Sequence, residues 1–229
     1  MFATKLLRIG YKRMLKPFLF RKDPEDMHEL FMDMGHRLWS HRVGKKITNF
    51  FFAYEDPVLE QNIAGVHYPN PVGLAAGFDK DCQLVDIMHD VGFWFVEVGS
   101  ITHKAYEWNP KPRLVRLLKD EWLIVNYGLK NKWVEKAIQT LGNAKEKRMP
   151  INVSVAKTNC RDTVDLATGI EDYLASLSAL ELSSAGHESY TINVSCPNTF
   201  GWEPYTTPDT LDQLLSEIDR LRIQKPIFV

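Results

Sequence analysis

This 229-residue sequence has few cysteines, no long apolar run and almost no net charge. Its three cysteines form no CxxC pair and have no histidine at a ligand spacing, so we predict neither a metal site nor a disulfide framework. No stretch approaches the roughly 20 consecutive apolar residues of a spanning helix. A formal net charge of −1 provides no basic field for nucleic acid. The 45% of hydrophobic side chains suffice for the core of one α/β domain with an appendage, and we expect that domain neither to cross a bilayer nor to bind nucleic acid.

Charge is nevertheless distributed unevenly, because residues 1–22 carry seven cations and no acid. Apolar side chains such as Leu6, Leu15 and Phe18 are interleaved with these cations. This basic, amphipathic pattern is typical of a helix that lies on an anionic membrane surface. The alternative is a helix that docks on its own domain.

A second helix is predicted from about residue 24 to about residue 40. Asp23 stands at the N-cap position, Pro24 at the first helical position, and apolar residues then recur at three- and four-residue spacing. We therefore expect an N-terminal α-helical extension over residues 1–45 that binds the membrane surface, followed by a connecting segment over residues 46–70.

From Pro71 onward, short apolar strands alternate with helical stretches, which indicates βα units around a parallel sheet. The predicted strands are 72–75, 93–98, 151–155, 190–194 and 226–229, and the predicted helices are 83–91, 132–141, 170–185 and 208–223. Because a TIM barrel repeats this unit eight times, we expect residues 71–229 to be a (β/α)8 TIM barrel that stops after about its fifth strand. We expect the complete gene to continue beyond Val229.

Small and polar residues follow four of the predicted strands, where barrels place their functional groups. These segments read AAGFDK from residue 75, GSIT from 99, NVSVAK from 152 and NVSCPNT from 193. Each segment alone has a structural explanation as a packing turn, a helix cap, a buried amide or a small core thiol. Together they offer hydrogen bonds for a planar heterocycle and a group able to take a proton.

Four segments resemble signature segments of the dihydroorotate dehydrogenases: NPVGLAAGFDKD, VEVGSIT, NPKPRLVRL and NVSCPNT. DPEDMHELF is similar to an N-terminal helix of the membrane-associated class 2 enzymes. The resemblance implies oxidation of dihydroorotate to orotate in pyrimidine biosynthesis, with hydride passing to FMN and electrons passing on to a quinone. It also implies a peripheral enzyme at the cytoplasmic face of the cell membrane, with a quinone tunnel between its N-terminal helices.

The same resemblance implies roles for individual residues. FMN would be contacted by Ala76, Gly77, Lys80, Ser100, Ser154 and Asn193. Dihydroorotate would be bound by Lys80, Asn126, Tyr127, Gly128, Asn193 and Asn198. Cys196 would be the catalytic base, and His28 and Arg116 would lie on the quinone side.

Three positions depart from the family pattern. Class 2 enzymes have serine at the base position, whereas Cys196 is typical of class 1, and a thiol loses its proton more readily than an alcohol. Ser154 stands where an asparagine usually meets the flavin, which shortens that contact to a hydroxyl. The loop Asn126-Tyr127-Gly128 has one residue fewer between asparagine and glycine than the family has.

Two alternatives remain open. Another FMN-dependent barrel, such as a class 1 dihydroorotate, dihydropyrimidine or tRNA-dihydrouridine enzyme, would share the strand order, although acids outnumber basic residues from Pro71 onward and disfavour tRNA. An inactive membrane-surface fragment would bind no flavin at all. Because the resemblance places the flavin phosphate on loops after the seventh and eighth strands, we expect residues 1–229 alone to be inactive.

Overall fold

The N-terminal part of the chain is helical in the structure, a computed structural model that describes residues 2–38, 42–201 and 203–229. Helix α1 (Phe2–Gly10) continues through a π-helical turn (Tyr11–Leu15) into α2 (Lys16–Leu19), and α3 (Pro24–Leu38) and α4 (Arg42–Phe52) follow. Asp23 Oδ1 accepts hydrogen bonds from the backbone N–H groups of Glu25 and Asp26 at 2.8 and 3.2 Å, which confirms the predicted N-cap. The predicted end of that helix near residue 40 lies outside the described residues.

Helix α4 is an element that the sequence patterns do not predict. Polar contacts hold it to the rest of the chain, because Asn49 Nδ2 donates to Asp90 Oδ1 at 3.3 Å and Lys45 pairs with Glu146 at 3.2 Å. Its end also lies against Gly92, where an added Cβ would be 2.6 Å from the carbonyl oxygen of Phe52. Gly92 has a φ of +97°, so both space and conformation require glycine there.

Eight strands form three sheets among the described residues. In chain order they are β1 (Gln61–Ile63), β2 (Val66–Tyr68), β3 (Val96–Ile101), β4 (Leu114–Leu117), β5 (Trp122–Val125), β6 (Ile151–Val155), β7 (Ser189–Ile192) and β8 (Ile227–Phe228). Strands β1 and β2 form one antiparallel hairpin, and β4 and β5 form another. The main sheet is parallel, with β3, β6, β7 and β8 hydrogen bonded in that order. The α/β class with a parallel sheet is therefore confirmed.

Four further helices follow the N-terminal helices in sequence: α5 (Val85–Met88), α6 (Val134–Gly142), α7 (Leu166–Glu181) and α8 (Pro208–Asp219). The core packs them against the sheet, as the alternation along β6 shows. Ile151, Val153 and Val155 lie on one face of β6 and belong to the apolar core that includes residues of α7. Asn152, which is half-buried, and Ser154, which is buried, lie on the other face. The polar side chains of β6 consequently project away from this core.

Several predicted boundaries differ from the observed ones. Residues 72–75 are not a full strand, since Leu74 makes a single parallel bridge to Val96 at the edge of β3. Strand β3 begins and ends three residues later than predicted, so Ser100 belongs to the strand rather than to the loop after it. Helix α7 begins at Leu166 instead of 170 because the Asp165 side chain caps it, accepting from Thr168 N at 3.1 Å.

The core position of α7 leads to a stability prediction. Leu177 is fully buried, and Leu177→Ala should lower the free energy of unfolding by about 2–5 kcal/mol because it removes apolar contacts and leaves a cavity. Leu182, which is 90% exposed at the end of the same helix, is the matched control, and Leu182→Ala should change stability by less than about 0.5 kcal/mol. Urea denaturation measures both, and equal effects would contradict this packing.

Candidate active site

Three polar side chains from neighbouring strands form one hydrogen-bonded chain at the carboxyl end of the sheet. The hydroxyl oxygens of Ser100 and Ser154 are 2.8 Å apart, and Asn193 Nδ2 donates to Ser100 Oγ at 2.8 Å. The backbone N–H of Asn193 donates to Val155 O at 2.8 Å, which fixes Asn193 directly after β7. The structure thus brings together three of the residues predicted to contact a flavin, and we call them the strand-end chain.

The segment after Leu74 makes an open turn beside the strand-end chain. Gly77 N donates to Gly99 O at 2.8 Å, and Gly77 has a φ of +95° that favours glycine. A Cβ added at Gly77 would meet no atom within 4 Å, so the backbone is open to an approaching group. Ala76, Gly77 and Lys80 line one wall of a cleft of about 690 Å³.

Lys80 folds back over this turn. Its ammonium group donates to Gly77 O and lies 4.4 Å from the ring centroid of Tyr127. Burial, the largest cause, and the Lys130 cation lower the pKa of Lys80 to about 8, while nearby carboxylates such as Asp81 act in the opposite direction. Lys80 is therefore mostly charged at neutral pH and available to an anion.

The loop 126–128 and the turn that contains Asn198 meet at one side chain, Asn109. Asn109 Nδ2 donates to both Asn126 Oδ1 and Asn198 O at 3.0 Å. Gly128 packs so closely that an added Cβ would lie 2.5 Å from Asn109 Oδ1. The predicted substrate residues Asn126 and Asn198 are thus neighbours, and we call them, with Asn109, the amide cluster.

Tyr127 is buried between the candidate substrate and quinone sides. Its hydroxyl has no hydrogen-bond partner among the described residues, and burial is the main reason that the pKa of Tyr127 is raised to about 12. Its ring contacts Trp108, with centroids 5.2 Å apart, as well as Lys80. In this structure the aromatic face of Tyr127 makes its contacts, rather than the hydroxyl.

Cys196 lies in the turn after β7 and is half-buried. Burial, the largest cause, and the Glu203 carboxylate raise the pKa of the Cys196 thiol, and the Lys157 ammonium acts in the opposite direction. Lys157 is itself buried, and its Nζ donates to Phe200 O at 2.7 Å, which anchors the same turn. Lys157 lies in the motif NVSVAK, but the sequence motifs predicted no role for it.

The two residues predicted for the quinone side, His28 and Arg116, line the same cleft as Ala76, Gly77 and Lys80. His28 packs edge-on against Phe78, with ring centroids 4.9 Å apart, and burial is the first cause that lowers the pKa of His28 to about 4. Arg116 Nη1 donates to Lys22 O at 2.9 Å, and its guanidinium lies 4.6 Å from the Phe20 ring. His28 is therefore neutral at pH 7.

A parallel α/β sheet with lysine, serine and asparagine side chains gathered at its carboxyl end is typical of enzymes that bind a planar polar ligand. The family model described as dihydroorotate dehydrogenase matches residues 58–229. Since this match covers most of the sequence, the chain belongs to the dihydroorotate dehydrogenase family.

Individual relatives agree with this assignment. A Thermus thermophilus protein named dihydroorotate dehydrogenase (quinone) is 37% identical over 213 residues, which are 93% of this chain and 60% of that protein. An Idiomarina loihiensis protein of the same name is 35% identical, covering 90% of this chain and 58% of its own length. The chain thus spans about 60% of the curated relatives it matches. The solved structure of DHODH from Eimeria tenella in complex with ferulenol has a TM-score of 0.71 at 29% identity and covers 88% of this chain and 52% of that one.

Proposed function

We propose that this chain carries the substrate-oxidising site of a quinone-dependent dihydroorotate dehydrogenase, which converts dihydroorotate to orotate in pyrimidine biosynthesis. The observation that carries the proposal is the convergence of Lys80, the strand-end chain and the amide cluster at the carboxyl end of a parallel sheet. The names of the relatives support the same reaction.

FMN is the cofactor that we propose for this site, and the residues present fit it. The open backbone at Gly77 leaves room for a flat ring, and the strand-end chain supplies hydroxyl and amide groups that both donate and accept hydrogen bonds. Ala76, Gly77, Lys80, Ser100, Ser154 and Asn193 would hold it. When bound, FMN supplies the electron acceptor for the oxidation and the donor to the quinone.

The remaining side chains bind and orient the substrate. The ammonium group of Lys80 pairs with the carboxylate of dihydroorotate, and Asn126, Asn193 and Asn198 bind its ring amide groups, with Tyr127 and Gly128 shaping the pocket wall. Fixing the ring in one orientation lowers the barrier because less motion has to be restricted in the transition state.

Cys196 takes the proton from C5 of dihydroorotate in this proposal. Its thiol must first lose its own proton, and the raised pKa of Cys196 makes the thiolate scarce at neutral pH but strongly basic. A class 1 enzyme would use the same thiol, and the relatives named for quinone favour class 2.

We also propose that residues 71–229 form part of a (β/α)8 barrel behind a helical extension at 1–45 and a connecting segment at 46–70. The order β3, β6, β7, β8 supports this, because parallel neighbours follow one another along the chain with helices between them, as in a barrel. Helix α4 crosses the boundary at residue 45, so helical structure itself extends to Phe52.

The N-terminal helices are proposed to bind an anionic membrane surface and to admit a quinone to the cleft beside His28 and Arg116. Apolar side chains on α1 and α4 support this, with Leu6 62% and Phe50 81% exposed. Among the described helices, none is both long and apolar enough to span a bilayer. The exposed apolar side chains of α1 and α4 are what support our proposal of a peripheral enzyme at the cytoplasmic face of the cell membrane.

Substitution of Cys196 tests the reaction itself. In the full-length flavin-loaded enzyme, Cys196→Ala should slow flavin reduction by dihydroorotate about 10²- to 10⁴-fold, the usual contribution of a general base, and should keep orotate binding. Cys196→Ser should be intermediate, with its rate optimum at higher pH because an alcohol is harder to deprotonate. Stopped-flow absorbance isolates this half-reaction, and an alanine variant within threefold of the parent would show that Cys196 is not the base.

The lowered pKa of Lys80 predicts a pH dependence of orotate binding. A carboxylate pairs only with the charged amine, so the Kd should be constant below pH about 8 and should rise about tenfold per pH unit above it. Lys80→Arg should bind more weakly but should lose this rise, since arginine stays charged. Titrations monitored by flavin absorbance over about pH 6 to 9.5 measure both proteins, and the same rise in both would exclude Lys80 as its cause.

The exposed face of α4 predicts vesicle binding. Combining Ile47→Asp with Phe50→Asp should weaken binding to anionic vesicles by about tenfold or more, because two apolar side chains of this size each contribute roughly 1.5–3 kcal/mol when buried. Leu182→Asp, at the exposed residue that directly follows α7, is the control and should have little effect. Co-sedimentation compares them, and unchanged binding of the double variant would contradict this orientation.

A further inference from the structure

Every polar group of Asn109 makes a hydrogen bond to a residue of the site. Its Oδ1 accepts from Tyr106 OH at 2.6 Å, and its Nδ2 donates to Asn126 Oδ1 and Asn198 O. Its backbone oxygen accepts from Arg113 Nη1 at 3.1 Å. Because both the oxygen and the nitrogen of the Asn109 amide are hydrogen bonded, the side chain is held in one orientation.

The backbone carbonyl oxygens of Asn198 and Val125 determine whether the amide side chains of the cluster leave their oxygen or their nitrogen for a ligand. Because the carbonyl oxygen of Asn198 only accepts, the Asn109 atom beside it must be Nδ2, and the Asn126 atom facing that nitrogen must be Oδ1. Asn198 Nδ2 likewise donates to the carbonyl oxygen of Val125 at 3.0 Å. The amide nitrogen of Asn126 and the side-chain oxygen of Asn198 are therefore the groups left for a ligand.

An ion pair from the N-terminal helices holds the backbone next to Asn109. Arg113 Nε lies 2.8 and 2.9 Å from the two carboxylate oxygens of Glu25 on α3, and Arg113 Nη2 lies 2.6 Å from Glu25 Oε1. The Arg113 guanidinium also stacks 4.1 Å from the Trp108 ring centroid. Glu25 is buried, so this bidentate pair is well shielded from water.

We propose that Asn109 is a positioning residue that fixes Asn126 as a hydrogen-bond donor and Asn198 as an acceptor, and that the Glu25–Arg113 pair holds Asn109 in place from α3. One donor beside one acceptor matches adjacent C=O and N–H groups of a cyclic ureide. This inference rests on the proposed function, in which that ring belongs to dihydroorotate. It also links the helix beside the quinone cleft to substrate affinity.

The test measures substrate and quinone affinities separately in the full-length flavin-loaded enzyme. Asn109→Asp replaces the donating nitrogen by an oxygen, so both hydrogen bonds are lost. The orotate Kd and the dihydroorotate KM should rise about tenfold or more, and the quinone KM should stay within about twofold. A merely structural role would lower the yield or Tm and leave the orotate Kd of the folded protein unchanged, and that result would overturn the proposal.

Glu25→Gln tests the link from α3 without touching the amide cluster. It should raise the orotate Kd about threefold or more, because a neutral amide holds the Arg113 fork less firmly. Lys111→Ala is the control for Glu25, since Lys111 is 59% exposed and only 3.7 Å from the same carboxylate, and it should change the Kd less than twofold. An unchanged Kd in Glu25→Gln would overturn the link.

Asn70→Asp is the matched control for the asparagine substitution. Asn70 is a buried amide that donates to Tyr54 O at 3.3 Å and accepts from Val72 N at 2.9 Å, outside the amide cluster. Its orotate Kd should stay within twofold of the parent, and a rise equal to that of Asn109→Asp would overturn the proposal. A parent enzyme that neither binds orotate nor is reduced by dihydroorotate would instead contradict the proposed function.

Discussion

The parallel register of β3, β6 and β7 is the constraint on which the site depends. Val155 on β6 pairs with Ile101 on one side and with Ile192 on the other, so the three strands end at the same level. Side chains alternate along a strand, and a slip of one residue in β6 would turn Ser154 into the core and a valine towards the site. Burial of Val153 and Val155 therefore determines the position of the strand-end chain.

Partly desolvated charges are concentrated at this end of the molecule. Glu25 and Arg113 neutralise one another in a bidentate pair, whereas the Lys80 and Lys157 ammonium groups find backbone carbonyls of Gly77 and Phe200. Hydrogen bonds to carbonyls offset only part of the desolvation of an ammonium group. Burial accordingly lowers the pKa of both lysines, and both favour a nearby negative group more strongly than an exposed lysine does.

Patterns within a few consecutive residues predicted the strands and helix ends that depend on neighbouring residues alone. The predicted strand 151–155 has the same first and last residues as β6. Helix α3 begins directly after its predicted N-cap, Asp23. The motifs also grouped Ser100, Ser154 and Asn193 before any geometry was considered, and the structure confirms that they are neighbours. Their roles towards a flavin remain a proposal.

Long-range contacts explain what the sequence did not predict. Glu25 and Arg113 are 88 residues apart, and Asn109 and Asn198 are 89 apart, so no spacing rule connects them. The short hairpin of β4 and β5 exposes all four residues of β5 and therefore shows no alternation. Asn109 begins the segment NPKPRLVRL, and the proline after it masks its role, because asparagine before proline is also an ordinary turn sequence.

The close approach of Gly92 to the end of α4 limits how this protein can be recombined with its relatives. If α4 were joined to the main domain of a relative, position 92 of that domain would have to be glycine, because any Cβ there would lie 2.6 Å from the carbonyl oxygen of Phe52. The Asn49–Asp90 and Lys45–Glu146 contacts would have to be transferred with it. A chimaera that exchanges the N-terminal helices therefore has to keep both partners of each of these contacts.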